Sequence, residues 1–214
     1  MLPTGEPKFR RRKAERPDEI VEAALQVFAA KGFAAARLED IAARAGVSKG
    51  ALYLYFATKE ELFHAVVEQA IAPNIQLVLG LIAGHPGPFA DLVRGVAERM
   101  AAMVETTPVG GVAKMVIGEA QNFPALARVW HDELVGPALG AMAGAIAAAQ
   151  ARGEVRAGDP RAYALSLISP LLLGVIWRET FVPIGAEPFH LPRLARQHVE
   201  TLLQGMLADK DPCA

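Results

Sequence analysis

Gly46-Val47-Ser48-Lys49-Gly50 sets a serine between two glycines in the G-x-S-x-G spacing of a nucleophile elbow. Asp159, then His190 or His198, follow in the chain order in which such hydrolases carry their acid and base. The chemistry would be acyl transfer at the Ser48 hydroxyl. An elbow needs a strand in front of it, because the strand-to-helix turn is what exposes the hydroxyl. Residues 38–45 instead repeat Leu38, Ile41, Ala42 and Ala45 at helical spacing, among Ala, Glu and Arg, which have little strand tendency. The five residues then read as a turn between two helices. Gly46 supplies left-handed backbone at the helix exit, Val47 packs back, and Ser48 caps the second helix. No enzymatic activity is expected.

At about 100° per residue, Lys49, Gly50 and Tyr53 share one arc of that second helix, while Leu52 and Tyr55 lie away from it. A cation, a glycine that lets backbone approach closely and a phenol on one face suit DNA phosphates and base edges. His64, His85, His131, His190 and His198 show no H-E-x-x-H or comparable ligand spacing, so neither a metal nor a cofactor is expected.

The elements that must position this turn are helices. Residues 1–16 read as a basic flexible arm, and a first helix begins after Pro17, carries Ile20, Ala24, Val27 and Phe28 inward, and stops at Gly32. Thr58-Lys59-Glu60-Glu61 is a capping box that opens a connector helix over 58–83. Gly84-His85-Pro86-Gly87-Pro88 is the clearest break. Beyond it, residues 89–105, 109–121, 124–152, 159–181 and 192–207 each read as helix, with Pro137 and Pro170 expected to kink or restart theirs. Gly136, Gly140 and Gly144 form a small-residue stripe that suggests close helix packing. The expectation is all-α: a helix-turn-helix unit over 17–63 and a larger helical unit over 84–214.

Hydrophobic residues at 52% and charged residues at 21% of 214 describe a folded chain with apolar surface to spare for a subunit contact. Residues 1–60 hold eleven Lys/Arg against eight Asp/Glu, a net of +3, and the remainder nets −4, so the basic part contains the turn. The single Cys213 provides no disulfide, which fits a cytoplasmic protein. No apolar signal segment follows the N-terminal basic residues, and the longest apolar run, 164–177, is shorter than the ~20 residues that cross a bilayer, so no membrane partner is expected.

The order Phe28, Gly32-Phe33, Ile41-Ala42, Ala45-Gly46-Val47-Ser48-Lys49-Gly50, Leu52-Tyr53, Tyr55-Phe56, Lys59-Glu60-Glu61-Leu62 resembles the N-terminal pattern of the TetR family of bacterial transcriptional repressors. The resemblance implies a homodimer on a near-palindromic double-stranded DNA operator, released by a small-molecule effector. The implied DNA contacts are Arg37, Arg44, Lys49, Gly50, Ala51, Tyr53 and Lys59, with Lys59 adding charge beside a helix start that suits phosphate. Tyr55 belongs to this set by family position, although the helical wheel turns it toward the core. Where the family commonly has a capping Thr or Ser, this chain has Ala36-Arg37; Arg37 can replace the phosphate contact but not the cap.

The resemblance also implies an effector pocket, for which Met100, Met103, Met115, Phe123, Trp130, Met142 and Trp177 are the large apolar groups. Glu119 would orient a cationic effector there. The last two long helices would form the dimer contact, rich in Leu165, Leu167, Leu171, Leu172, Leu173, Leu202 and Leu203. A dimeric sensor without operator binding is the remaining alternative.

Overall fold

A computed structural model describes the backbone over residues 8–208, so the expectations for residues 1–7 and Cys213 lie outside the described residues. The chain is all-α, in the order α1 Lys8–Lys31, α2 Leu38–Arg44, α3 Lys49–Tyr53, α4 Lys59–Ala65, α5 Ala72–Gly84, α6 Phe89–Thr106, α7 Val109–Glu119, α8 Pro124–Trp130, α9 Gly136–Ala151, α10 Pro160–Thr180 and α11 Leu191–Met206. One isolated antiparallel bridge, Val155 to Leu207, pins the end of α11 beside the turn after α9.

The first helix begins at Lys8, not after Pro17, so residues 8–16 are helical where an arm was expected. Proline's fixed φ is compatible with a helix, and the lost amide is tolerable where neighbouring Lys, Arg, Ala and Glu are good helix formers. Two other prolines act differently. Pro73 and Pro137 stand at the starts of α5 and α9, each directly after a π-helical stretch, Val66–Ile71 and His131–Val135. A proline cannot donate to the carbonyl four residues back, so the ladder widens ahead of it while the rod stays continuous. Pro170 remains inside α10 without a break, against expectation. Gly140 and Gly144 have open space where a Cβ would stand, so the expected close packing is not found at those positions.

Two cores hold the molecule. One gathers Ile20, Phe28, Phe33, Ile41, Leu52 and Phe63 of the first four helices and runs on without interruption into Val112, Met115 and Val116 of α7. The other joins Phe89, Ile146, Leu203 and Met206 across α6, α9 and α11. The continuous first core makes α7 the bridge between the N-terminal and C-terminal parts.

Candidate functional site

The turn between α2 and α3 is closed by main-chain bonds. Val47 N donates to Ala42 O at 3.0 Å and Gly46 N to Ala43 O at 3.2 Å, and Gly46 has φ +67, the paired bonding of a Schellman end. Ser48 then starts α3, its Oγ accepting from Ala51 N at 3.1 Å. The hydroxyl is thus occupied as a cap. Asp159 and His190 likewise cap their own helices, accepting from Arg161 N and Arg193 N, and His198 donates to Ser166 O. The residues of the alternative triad are each engaged with nearby main chain.

Leu52 is fully buried and anchors α3, which leaves Lys49, Gly50 and Tyr53 exposed on its outer side and Ala51 half-buried. Lys49 pairs with Glu39 of α2 and sits 5.8 Å from the Tyr53 ring centroid. That hydrogen bond holds the Glu39 carboxyl below its ordinary range and raises Lys49. Leu54, next along, is 83% exposed and was not anticipated. Tyr55 is half-buried against the core, as the wheel indicates and contrary to its place in the DNA-facing set. Arg37 and Arg44 are exposed; Arg37 stands at the α2 N-cap in extended backbone without a side-chain cap bond.

Lys59 is placed differently from the phosphate contact expected of it. Its ammonium bonds Phe33 O, Ala34 O and Ala36 O at 2.5, 3.4 and 3.1 Å, and lies 4.4 Å from the Phe33 ring centroid. Three acceptors use all three of its donors. The capping box at Thr58 is shifted by one: Thr58 Oγ1 accepts from Glu61 N, but Glu61 reaches Ala57 N.

Glu119 is not in a pocket. From the end of α7 its carboxylate accepts from Phe33 N at 3.0 Å and Ala34 N at 2.8 Å, across 86 and 85 residues of sequence. Phe123 stacks edge-on against Phe33, centroids 5.0 Å apart. The loop from Gly32 to Ala36 is therefore gripped by Lys59 through its carbonyls and by Glu119 through its amides. Gly32 is required here, since its φ is +80 and a Cβ would lie 2.5 Å from Glu119 Oε1.

A cavity of about 390 Å³ opens among α5, α6, α7, the α8–α9 rod, α10 and α11. Met100, Met103, Trp130 and Met142 stand on its wall. Met115, Phe123 and Trp177 do not: Met115 is buried on the side of α7 that belongs to the first core, and Trp177 packs on Phe181 and Phe189 while donating to Glu187 O. The wall is mostly aliphatic, and its signal was present in the connector, where Ile71, Ile75, Val78 and Ile82 recur at 4-3-4 spacing. On α7, Val109, Ala113 and Ile117 face the cavity while Val112, Met115 and Val116 belong to the first core. Among the described residues no group of three or more His, Cys, Asp or Glu is arranged to hold a metal ion.

Three continuous helical rods, Lys59–Gly84, Pro124–Ala151 and Pro160–Ile184, are long and apolar enough to cross a membrane by length and composition. This exceeds the 164–177 run read from sequence, because that run was delimited by its flanking arginines, whereas these rods are apolar on average across scattered polar residues.

Residues 20–66 match the family model "Bacterial regulatory proteins, tetR family", and residues 87–188 match "Tetracyclin repressor-like, C-terminal domain". Over 98 residues, 42% of this chain and 48% of the relative, the sequence is 32% identical to the uncharacterised HTH-type transcriptional regulator YfiR of Bacillus subtilis. Over 88 residues, 41% of this chain and 42% of the relative, it is 32% identical to the HTH-type transcriptional repressor BepR of Brucella suis. The matched segments thus span about half or less of these curated relatives. The fold is similar to that of SmeT of Stenotrophomonas maltophilia in its triclosan complex, with a TM-score of 0.74 at 23% identity over 91% of this chain and 93% of that one.

Proposed function

This chain belongs to the TetR family of bacterial regulatory proteins, and on that premise we propose that it is a ligand-responsive transcriptional repressor. It binds a near-palindromic operator as a homodimer in the cytoplasm and is released by an apolar effector held in the 390 Å³ cavity. The observation that carries this reading is the outer face of α3, where Lys49, Gly50 and Tyr53 stand exposed over the buried Leu52. Lys49 serves phosphate or a base edge, Gly50 admits the DNA backbone, and Tyr53 bonds phosphate. Arg37 and Arg44 add phosphate contacts from α2. Lys59 and Glu119 act one layer behind, holding the 32–36 loop against α7.

The switch in this reading is a population shift. An effector favours a dimer whose α3 helices are wrongly spaced for DNA, and the two affinities are reciprocally coupled. α7 is the physical link, because one side of it lines the cavity and its end grips the N-terminal unit. The long apolar rods serve the cavity and the second copy: Leu165 and Leu172 of α10 are exposed at the cavity wall, and Leu173, exposed on α10 outside it, is left for the second copy.

An electrophoretic shift assay on the DNA flanking the chain's own gene, run across a salt series, tests the reading. Binding is expected roughly 10³-fold or more tighter than to scrambled DNA. Equal affinity for both would leave only a sensor without operator recognition.

A further inference from the structure

Of the side chains on the cavity wall, only His198 is ionisable, and apart from methionine sulfur only His198 and Trp130 carry a hydrogen-bonding group. A ligand bearing an ammonium would give up its hydration with no carboxylate to receive it, and a carboxylate would find a counter-charge only by drawing a proton onto His198. The carboxylate expected to serve a cation, Glu119, is instead spent on the amides of Phe33 and Ala34. The wall therefore selects against charge of either sign.

His198 narrows the choice further. Its Nε2 lies 2.9 Å from Ser166 O. A carbonyl oxygen only accepts, so Nε2 carries the proton, and the neutral ring is left with Nδ1 as an acceptor. No described residue donates to Nδ1. A ligand group that bonds Nδ1 of the neutral ring must therefore be a donor. At about 30 Å³ for each water-sized group, a cavity of about 390 Å³ has room for about a dozen heavy atoms.

We propose that the cavity takes an uncharged, mainly apolar ligand of about a dozen heavy atoms whose single hydroxyl donates to Nδ1 of His198. This rests on the cavity being the effector site and specifies what that site accepts. Because His198 also ties α11 to α10 through Ser166, the bound hydroxyl sits at the junction of the two helices assigned to the dimer contact.

The chain has two tryptophans, so the full-length Trp177→Phe variant leaves Trp130 on the cavity wall as the lone fluorophore. It is titrated separately with 1-decanol, decanoate, decylammonium and decyl methyl ether, following Trp130 emission. Saturable binding of 1-decanol is expected, with decanoate and decylammonium at least roughly tenfold weaker, since the ammonium finds no counter-charge and the carboxylate finds one only at the cost of protonating His198. The ether accepts but cannot donate, and is expected to bind several-fold more weakly than the alcohol. His198→Phe should abolish that difference. Either charged probe binding as tightly as 1-decanol overturns the proposal, and so does the ether matching the alcohol while His198 is intact. Neither comparison depends on whether the His198 variant folds. Shift assays on the same samples separate the two readings: specific DNA binding without 1-decanol binding removes this ligand class alone, whereas loss of specific DNA binding removes the regulator reading.

Discussion

In the proposed complex Lys49 would reach DNA only by leaving Glu39 or sharing it, so a carboxylate would compete with the operator. Glu39→Gln is expected to tighten operator binding by a few-fold, in keeping with the small worth of an exposed pair. Glu39 titrates below the ordinary carboxylate range because Lys49 bonds its charged form. The pair is therefore complete above that range and lost as pH falls through the lowered value, and the same fall should strengthen DNA binding in the parent but not in Glu39→Gln. Lys49→Ala should weaken binding and reduce the slope of log affinity against log salt by about 1. Gly32→Ala combines a left-handed backbone with a clash on Glu119, and should cost about 1–3 kcal/mol in urea unfolding. The Ser48 cap and the Gly46 exit were legible in sequence because their partners lie within a few residues. Lys59 and Glu119 were not, because each is bound to main chain of a loop 23 or more residues away, and side-chain type says nothing about that.

Among the elements, α7 joins the two functions, its cavity side and its α1 side lying on one rod of eleven residues. Glu119→Ala should speed hydrogen exchange at the amides of Phe33 and Ala34, leave 1-decanol binding to the cavity unchanged, and blunt the effect of an effector on DNA affinity. Unchanged exchange at both amides would show that the carboxylate does not hold the loop. The helices beyond residue 84 were readable from glycine and proline punctuation, and five expected segments stand close to their observed bounds. The π-helical stretches were not readable, because a proline leaves open whether a helix kinks, restarts or widens its ladder. Pro17, Pro73, Pro137 and Pro170 show two outcomes in one chain: α1 and α10 run through theirs, while α5 and α9 begin at theirs after a widened turn.

In the molecule as a whole, Leu172, Leu173, Phe181 and Ile184 are exposed along and just beyond α10, apolar surface that a second copy would take out of water in the proposed dimer. Leu173→Glu is expected to convert a dimer into a folded monomer in sedimentation velocity; a parent chain that is monomeric at every concentration would contradict the dimer. The basic charge of the N-terminal helices and the apolar character of the later ones could be read from sequence, but not that one core runs from the first four helices into α7. The cavity could not be read either, since it forms where several helices leave space between them, and two buried methionines, Met103 and Met115, differ in whether they reach its wall. Two copies of α3 in successive major grooves require half-sites about 34–36 Å apart, or a multiple of that. Hydroxyl-radical footprinting of the DNA flanking the gene measures this directly. The account predicts two protected stretches related by a dyad at that spacing, and protection no different from that on scrambled DNA would contradict it.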